Sequence, residues 1–342
     1  MTSIAAPVRR LLPQVITLAV VLGMIAAASP GFFDVSIANG RLYGSPIDIL
    51  NRGAPVALLA IGMTLVIATK GIDLSVGAVM AIAGAVAASV VHDGGGLPLA
   101  LAAALGTGLA CGLWNGFLVA VFGIQPIIAT LILMVAGRGI AQLVTEGTIL
   151  TFTNEGLIFL GSGTILTVPV PILIFLAMGA LVTAIVRTTA LGLLIEAIGI
   201  NRRASMLAGI NARVLILAVY MTSGLCAALA GIIAAADIRG ADANNAGLWL
   251  ELDAILAVVI GGTSLLGGRF SIVASLIGAM IIQAVNTGIL LAGFPPEFNL
   301  IIKAVIIIAI LVLQSPALAE KIAAMRAPTG GERQSPQESP AE

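Results

Sequence analysis

The chain alternates long apolar runs with short polar breaks. The first run, Leu11 to Ala28, follows Arg9 and Arg10. Others cover roughly Ala54 to Thr69, Asp73 to Val91 and Leu97 to Phe122. After a break at Gly123-Ile124-Gln125-Pro126, the next reaches Val144, and Val168 to Val186 follows. The second half holds Val214 to Ala236, a run from Asp253 that breaks at Gly261-Gly262, Ser271 to Leu291 and Leu300 to Leu313. A helix crosses the hydrocarbon layer with about 20 apolar residues. Backbone in lipid must satisfy its own hydrogen bonds, and these runs do not alternate as barrel strands do. The pattern therefore predicts an all-α polytopic membrane protein with about ten transmembrane helices. Ala-Ala-Ala-Ser ending at Ser29 imitates a signal-peptide cleavage site, but Pro30 follows directly and the run exceeds a usual signal core. A retained first span is expected.

The breaks carry the orientation. The longest, Arg187 to Arg213, holds Arg187, Arg202, Arg203 and Arg213 against one acid, Glu196. Short loops rich in Arg and Lys stay on the cytoplasmic side. Ala197, Ile200, Ala204, Leu207 and Ala208 fall at helical spacing, with Gly192, Gly199 and Gly209 as breaks. This predicts a short amphipathic helix on the inner face, a handle on which a cytoplasmic partner can push. Ten spans put both termini on one side. With the termini inside, Arg9, Arg10, Lys70, Arg269, Lys321, Arg326 and Arg333 join that loop's arginines in the cytoplasm, leaving Arg41, Arg52 and Arg239 outside. Arg138 and Lys303 fall within spans toward the outer side and are expected to snorkel outward or to serve the mechanism. Pro30–Arg52, Thr145–Thr167 and Asp237–Leu252 read as external loops. The organisation expected is one membrane domain over 1–327, in halves of about 1–186 and 214–327 joined by the loop 187–213. A Pro-, Glu- and Ser-rich tail at 328–342 is expected to be disordered.

Composition agrees. The chain is 59% hydrophobic and 9% charged, with mean hydropathy +1.14, whereas a soluble globule needs a polar surface. Zero formal net charge gives no reason to expect nucleic acid. The single histidine, His92, has no second to share a metal. Cys111 and Cys226 sit inside apolar runs, as packing residues do. No GxxxxGK[ST] phosphate loop and no nucleophile–base pair occur, so neither cofactor nor catalysis is expected of this chain.

Two pairs of segments echo across the halves. Asp73–Gly84 resembles the stretch from Asp253 to Gly262, and Trp114–Pro126 resembles Val285–Pro296. Each pair is five spans apart, and an odd separation reverses direction, which predicts an inverted-topology repeat. Asp73 and Asp253 could each accept backbone N–H bonds at a helix start, or mark a broken helix that hinges; Ser75 belongs to the first group. Asn115, Gln125, Gln283 and Asn286 are neutral amides that suit either a polyol path or bonds between helices. Asn244, Asn245 and Trp249 stand in the large external loop just before the eighth span, where an external partner would touch.

Four segments carry a family resemblance: Leu58–Gly84, Gln125–Gly139, Glu196–Asn211, and the stretch from Ser223 to Ile233 with Glu251–Arg269. Together they resemble the ribose/xylose/galactose-type permeases of bacterial sugar ABC importers, over nearly the whole chain. Within that family, the segments around Gly40–Met63 and Ala235–Gly262 look most like the permeases of galactofuranose importers. Lys70 departs from the family, which usually has Gly there. The resemblance implies a fold like the vitamin B12-type importer permeases, in the inner membrane. It implies an ABC ATPase, a second permease, preferably a different chain, and a periplasmic sugar-binding protein as partners. It implies that Glu196, Gly199, Asn201, Arg202, Arg203, Ala204, Ala208, Gly209 and Ile210 dock on the ATPase. A branched-chain amino-acid ABC permease and an ion-coupled secondary transporter are the competing expectations.

Overall fold

A computed structural model describes residues 5–38, 40–293, 295 and 298–313; the tail 328–342 lies outside the described residues. Among the described residues twelve helices follow one another: α1 (Ala5–Ala28), α2 (Ser45–Ala68), α3 (Val76–His92), α4 (Leu97–Ala120), α5 (Pro126–Val144), α6 (Glu155–Ser162), α7 (Val170–Thr188), α8 (Leu191–Leu207), α9 (Ala212–Asp237), α10 (Leu250–Ile260), α11 (Ile272–Leu291) and α12 (Asn299–Leu313). Seven of them, α1, α2, α4, α5, α7, α9 and α11, are long and apolar enough to cross a membrane by length and composition. α3 and α12 are apolar but shorter. Every expected span thus has a helix, though α10, at 11 residues, is about half a crossing.

The helices start where the sequence supplies a suitable first turn. Pro46, Pro98, Pro126 and Pro171 open α2, α4, α5 and α7, where a missing N–H is harmless. Side chains of Asn154, Asn211 and Ser271 cap α6, α9 and α11 by accepting from Leu157, Val214 and Ala274 N–H groups.

Burial sorts the bundle into centre and rim. Of the apolar windows, 78% of α2 and 67% each of α9 and α11 is buried, against 17% of α1 and 22% of α4. α9 packs on α2, α3 and α4. Glycine permits this closeness: a Cβ at Gly224 would overlap the Gly108 carbonyl of α4, and one at Gly231 the Met80 carbonyl of α3. Without water to drive apolar surfaces together, close backbone approach of this kind is what holds membrane helices.

The polar stretches hold more structure than their composition promised. Residues 30–52 form a hairpin of β1 (Ser36–Ala38) and β2 (Arg41–Tyr43), and then α2 begins nine residues before the expected Ala54. Residues 145–167 contain β3 (Leu150–Thr151), α6 and β4 (Thr164–Ile165). β4 pairs with β5 (Val168–Pro169), and β3 with β6 (Gly240–Ala241). Amides leaving a helix must find partners, and here loops pair with loops.

Those pairings define two ends. At one, Gly268 N–H donates to the Ala68 carbonyl, Lys70 Nζ to Ile200, an Arg202 guanidinium nitrogen to Ala120 and Gln14 Nε2 to Gly261. At the other, Phe152 N–H donates to the Arg239 carbonyl, Leu42 N–H to Thr167 and Arg41 to Ser162, and His92 Nδ1 contacts the Thr151 carbonyl. The first is the α8 end and the second the loop end.

Candidate functional site

α8 is two helices joined at a break. Asn201 has φ −152° and ψ 97°, and its side chain re-caps the following turn by accepting from Ala204 N–H at 3.0 Å. Before the break, Ile195, Ile198 and Gly199 are buried; after it, Arg203, Ala204, Met206, Leu207, Ala208 and Gly209 are exposed. Leu207 is 88% and Ile200 66% exposed. Of the apolar positions at helical spacing, Ile200, Ala204, Leu207 and Ala208 are exposed and Ala197 is half-buried. Glu196 lies half-buried beside Arg187 and Ser271. Arg202 is held at 3.3 Å from the Ala120 carbonyl, while Arg203 points outward.

Gly199 and Gly209 do different jobs. A Cβ on Gly199 would collide with the Ala68 carbonyl and the Gly268 amide, so this glycine seats α8 on the chain itself. Gly209 has φ +87° and open space where a Cβ would stand. Its N–H bonds the Met206 carbonyl and that of Ile210 bonds Ser205, a left-handed helix stop that hands the chain to α9.

The expected path residues separate into four places. Asp73 is not the first residue of α3 but lies in the α2–α3 connection. Its Oδ1 accepts from Ser75 N–H at 3.1 Å and Ser75 Oγ at 2.6 Å, and its Oδ2 accepts from Ser223 Oγ of α9 at 2.9 Å. Asn115 Nδ2 of α4 donates to Ser75 Oγ at 2.8 Å. All four side chains are buried. Thr130 of α5 adds a bond to the Ile72 carbonyl and accepts from Leu74 N–H. Asp73, Ser75 and Asn115 therefore tie α3, α4 and α9 together.

Gln125 stands elsewhere, at the start of α5. It lines a cavity of about 540 Å³ at the α8 end with Lys70, Asn201, Arg202, Arg203 and Tyr220. Asp253, unlike Asp73, takes no backbone N–H at a helix start: it is the fourth residue of α10, behind Trp249, and its carboxylate meets Lys303 Nζ of α12 at 2.6 Å. Lys303 is 9% exposed, so it does not snorkel. Arg138 is half-buried and reaches the loop end, donating to the carbonyls of Ala243 at 3.0 Å and Ala246 at 2.6 Å.

Gln283 and Asn286, on α11, line a second cavity, of about 410 Å³, at the loop end. Asn51 of α2 joins them, as do Met80 and Gly84 of α3 and Gly231 of α9. The loop carrying Asp242, Asn245 and Gly247 forms its rim. Asp242 fixes that loop by accepting from Asn244 N–H, Asn245 N–H and Asn245 Nδ2. The side-chain bond from Asn245 is the main reason its carboxyl titrates below the usual range. Asn244 takes a bond from Gln142 at 2.8 Å. Trp249 is 52% exposed with φ +66°, displayed at the loop's exit.

Residues 45–311 match the family described as the branched-chain amino acid transport system / permease component. The chain belongs to this permease family. The galactofuranose transporter permease protein YtfT of Escherichia coli K12 is 60% identical over 92% of each chain. The fructose import permease protein FruF of Bifidobacterium longum is 44% identical over 82% of this chain and 80% of its own. The ribose import permease protein RbsC of Escherichia coli K12 is 41% identical over 86% and 90%. The sugar-permease resemblance of the four motif segments is thereby borne out.

Within this permease, sequence reasoning missed Asn51, Ser223, Tyr220 and the partners of Lys303 and Arg138. Asn51 looked like loop because Asp48 and Arg52 surround it; only the early helix start places it in a wall. Ser223 and Tyr220 carried one usable signal, a polar atom inside an apolar run, which in lipid demands a partner.

Proposed function

We propose that this chain is the membrane-spanning subunit of an ATP-driven importer for a monosaccharide, galactofuranose or a close relative. The observation that carries this is the 60% identity to a galactofuranose permease across 92% of both chains. ATP is bound by a separate ABC ATPase. A periplasmic binding protein delivers the sugar, and a second, different permease chain completes the path. The α8 end faces the cytoplasm, with both termini, and the loop end faces the periplasm. This orientation follows the cations: Lys70, Arg187, Arg202, Arg203, Arg213 and Arg269 cluster near α8 against Asp73 and Glu196. Ten crossings in two inverted halves fit the helix order, with α10 as a short, broken crossing. Asn244, Asn245 and Trp249 meet the binding protein from the exposed rim.

Coupling runs through α8. The exposed Ile200, Met206 and Leu207 offer an apolar surface at a water-facing end, which suits a partner's groove. Behind that surface, Gly199 and Lys70 tie α8 to the α2–α3 connection, where Asp73 is bound. A push on α8 thus reaches the helices around both cavities.

The deciding experiment is uptake in a bacterial strain lacking its own permeases but supplied with the cognate ATPase, second permease and binding protein. Uptake of labelled galactofuranoside or another monosaccharide is expected, and uptake of leucine alone would transfer the assignment to amino-acid import. Coupling is tested at Gly209, where added bulk meets nothing in this chain. Gly209→Asn tolerates the left-handed backbone and should transport, whereas Gly209→Trp at normal abundance should not. Equal uptake by the two would remove Gly209 from the docking surface.

A further inference from the structure

The 410 Å³ cavity at the loop end has an incomplete set of hydrogen bonds in its wall. Asn51 Oδ1 on α2 and Asn286 Oδ1 on α11 are buried and have no partner within the chain. Buried amide oxygens nearly always have a donor, and leaving one without costs about 1–3 kcal/mol. Both belong to lining residues of one cavity, and they come from two helices that pack together. Gln283 stands one turn before Asn286, and its Nε2 reaches only Thr287 Oγ1, at 3.5 Å. The facing wall, with Gly84, Ala85 and Gly231, supplies no side-chain donor. What these two oxygens lack is an O–H or N–H donor within the chain.

Charge narrows the class of molecule. Arg52 and Asp237 line the cavity but are exposed at its mouth. Asp242 is already engaged by Asn244 and Asn245. An anion entering the interior meets no buried cation, and an apolar molecule leaves both amides unpaired. A small neutral molecule rich in hydroxyls satisfies them. The volume falls within the usual range for small-molecule sites.

We infer that this cavity is a chamber inside a single permease chain that holds one neutral monosaccharide, with Asn51 and Asn286 accepting from its hydroxyls. The inference rests on the sugar-import reading and adds to it where within the chain the sugar is held. The loop 242–247 forms the rim of the chamber, and Arg138 pins that loop by the Ala243 and Ala246 carbonyls.

The test is thiol accessibility in the assembled importer. Cys111 and Cys226 are replaced by Ala, and Asn286→Cys or Asn51→Cys is introduced. Right-side-out vesicles are treated with a small, charged methanethiosulfonate reagent. Methyl β-D-galactofuranoside is expected to slow labelling at both positions by about tenfold, the factor that about 1.4 kcal/mol of occupancy provides. Leucine should leave it unchanged. Leu166→Cys, at a residue 91% exposed in the turn between β4 and β5, should label at one rate throughout. Asn286→Leu should lower maximal uptake by about tenfold at normal membrane abundance. Sugar transport by the parent importer with no labelling, or unprotected labelling, at both positions overturns the chamber and leaves the import reading intact. Full uptake by Asn286→Leu overturns it as well. Absence of sugar uptake by the parent importer defeats the import reading itself.

Discussion

Asp73 and Asp253 are the two carboxylates that the expected repeat pairs, and both are buried, at 2% and 6% exposure. The chain satisfies them by opposite means. Asp73 is surrounded by dipoles: two hydroxyls and one amide, drawn from its own segment and α9. Asp253 faces one full charge, Lys303, from α12. The difference lies in how the support divides. A cradle of several hydrogen bonds can lose one member and keep the rest. An ion pair loses everything with one side chain, because the remaining charge cannot reach water. The sequence echo therefore decided neither the carboxylate's place nor its chemistry, since Asp73 precedes α3 whereas Asp253 lies within α10.

Substitutions on both sides press on that contrast. Lys303→Ala should be the most damaging, with a cost of about 3–5 kcal/mol for an uncompensated buried charge. It would be read as loss of monodisperse protein in detergent and a fall in Tm. The double change Lys303→Met with Asp253→Asn should recover most of that loss. If double and single changes are equally damaged, Lys303 works by packing rather than by charge. Asp73→Ala should come next, since it orphans donors on Ser75 and Ser223 at about 1–3 kcal/mol each. Asp73→Asn retains an acceptor and should lose less. Ser223→Ala should be mildest, at about 1 kcal/mol, because Ser75 still serves the carboxylate. A Ser223→Ala protein as unstable as Asp73→Ala would mean that the cradle is not divisible, and the contrast with Asp253 would fail.

α8 shows how far pattern reading reaches. The Arg-rich composition and the apolar spacing of 187–213 were enough to place a helix there. They were not enough to show that the helix is broken at Asn201. Ala204, Leu207 and Ala208 share the apolar period with Ala197, but Asn201 breaks the helix between them and rotates the second part outward. Periodicity assumes an unbroken helix, and an Asn side chain able to re-cap a turn is the signal that it is not one. Gly199 and Gly209 likewise looked alike as breaks. One is required by a close backbone contact and the other by a left-handed turn, and composition cannot separate those reasons.

The sequence by itself determined the class and the order of this protein. Each expected apolar run is helical, because in lipid a chain has no other way to satisfy its backbone locally. Its motifs also placed the chain in its permease family. Tertiary structure decided which buried polar groups meet. Lys303 reaches Asp253 across 50 residues, Ser223 reaches Asp73 across 150 and Arg138 reaches Ala246 across 108. It also brought Asn51 and Asn286 to the lining of one cavity. Helix formation is set by neighbours in the chain, so it can be read along it. A polar side chain's partner is set by which helices cross and how closely, and that depends on the packing of the whole bundle.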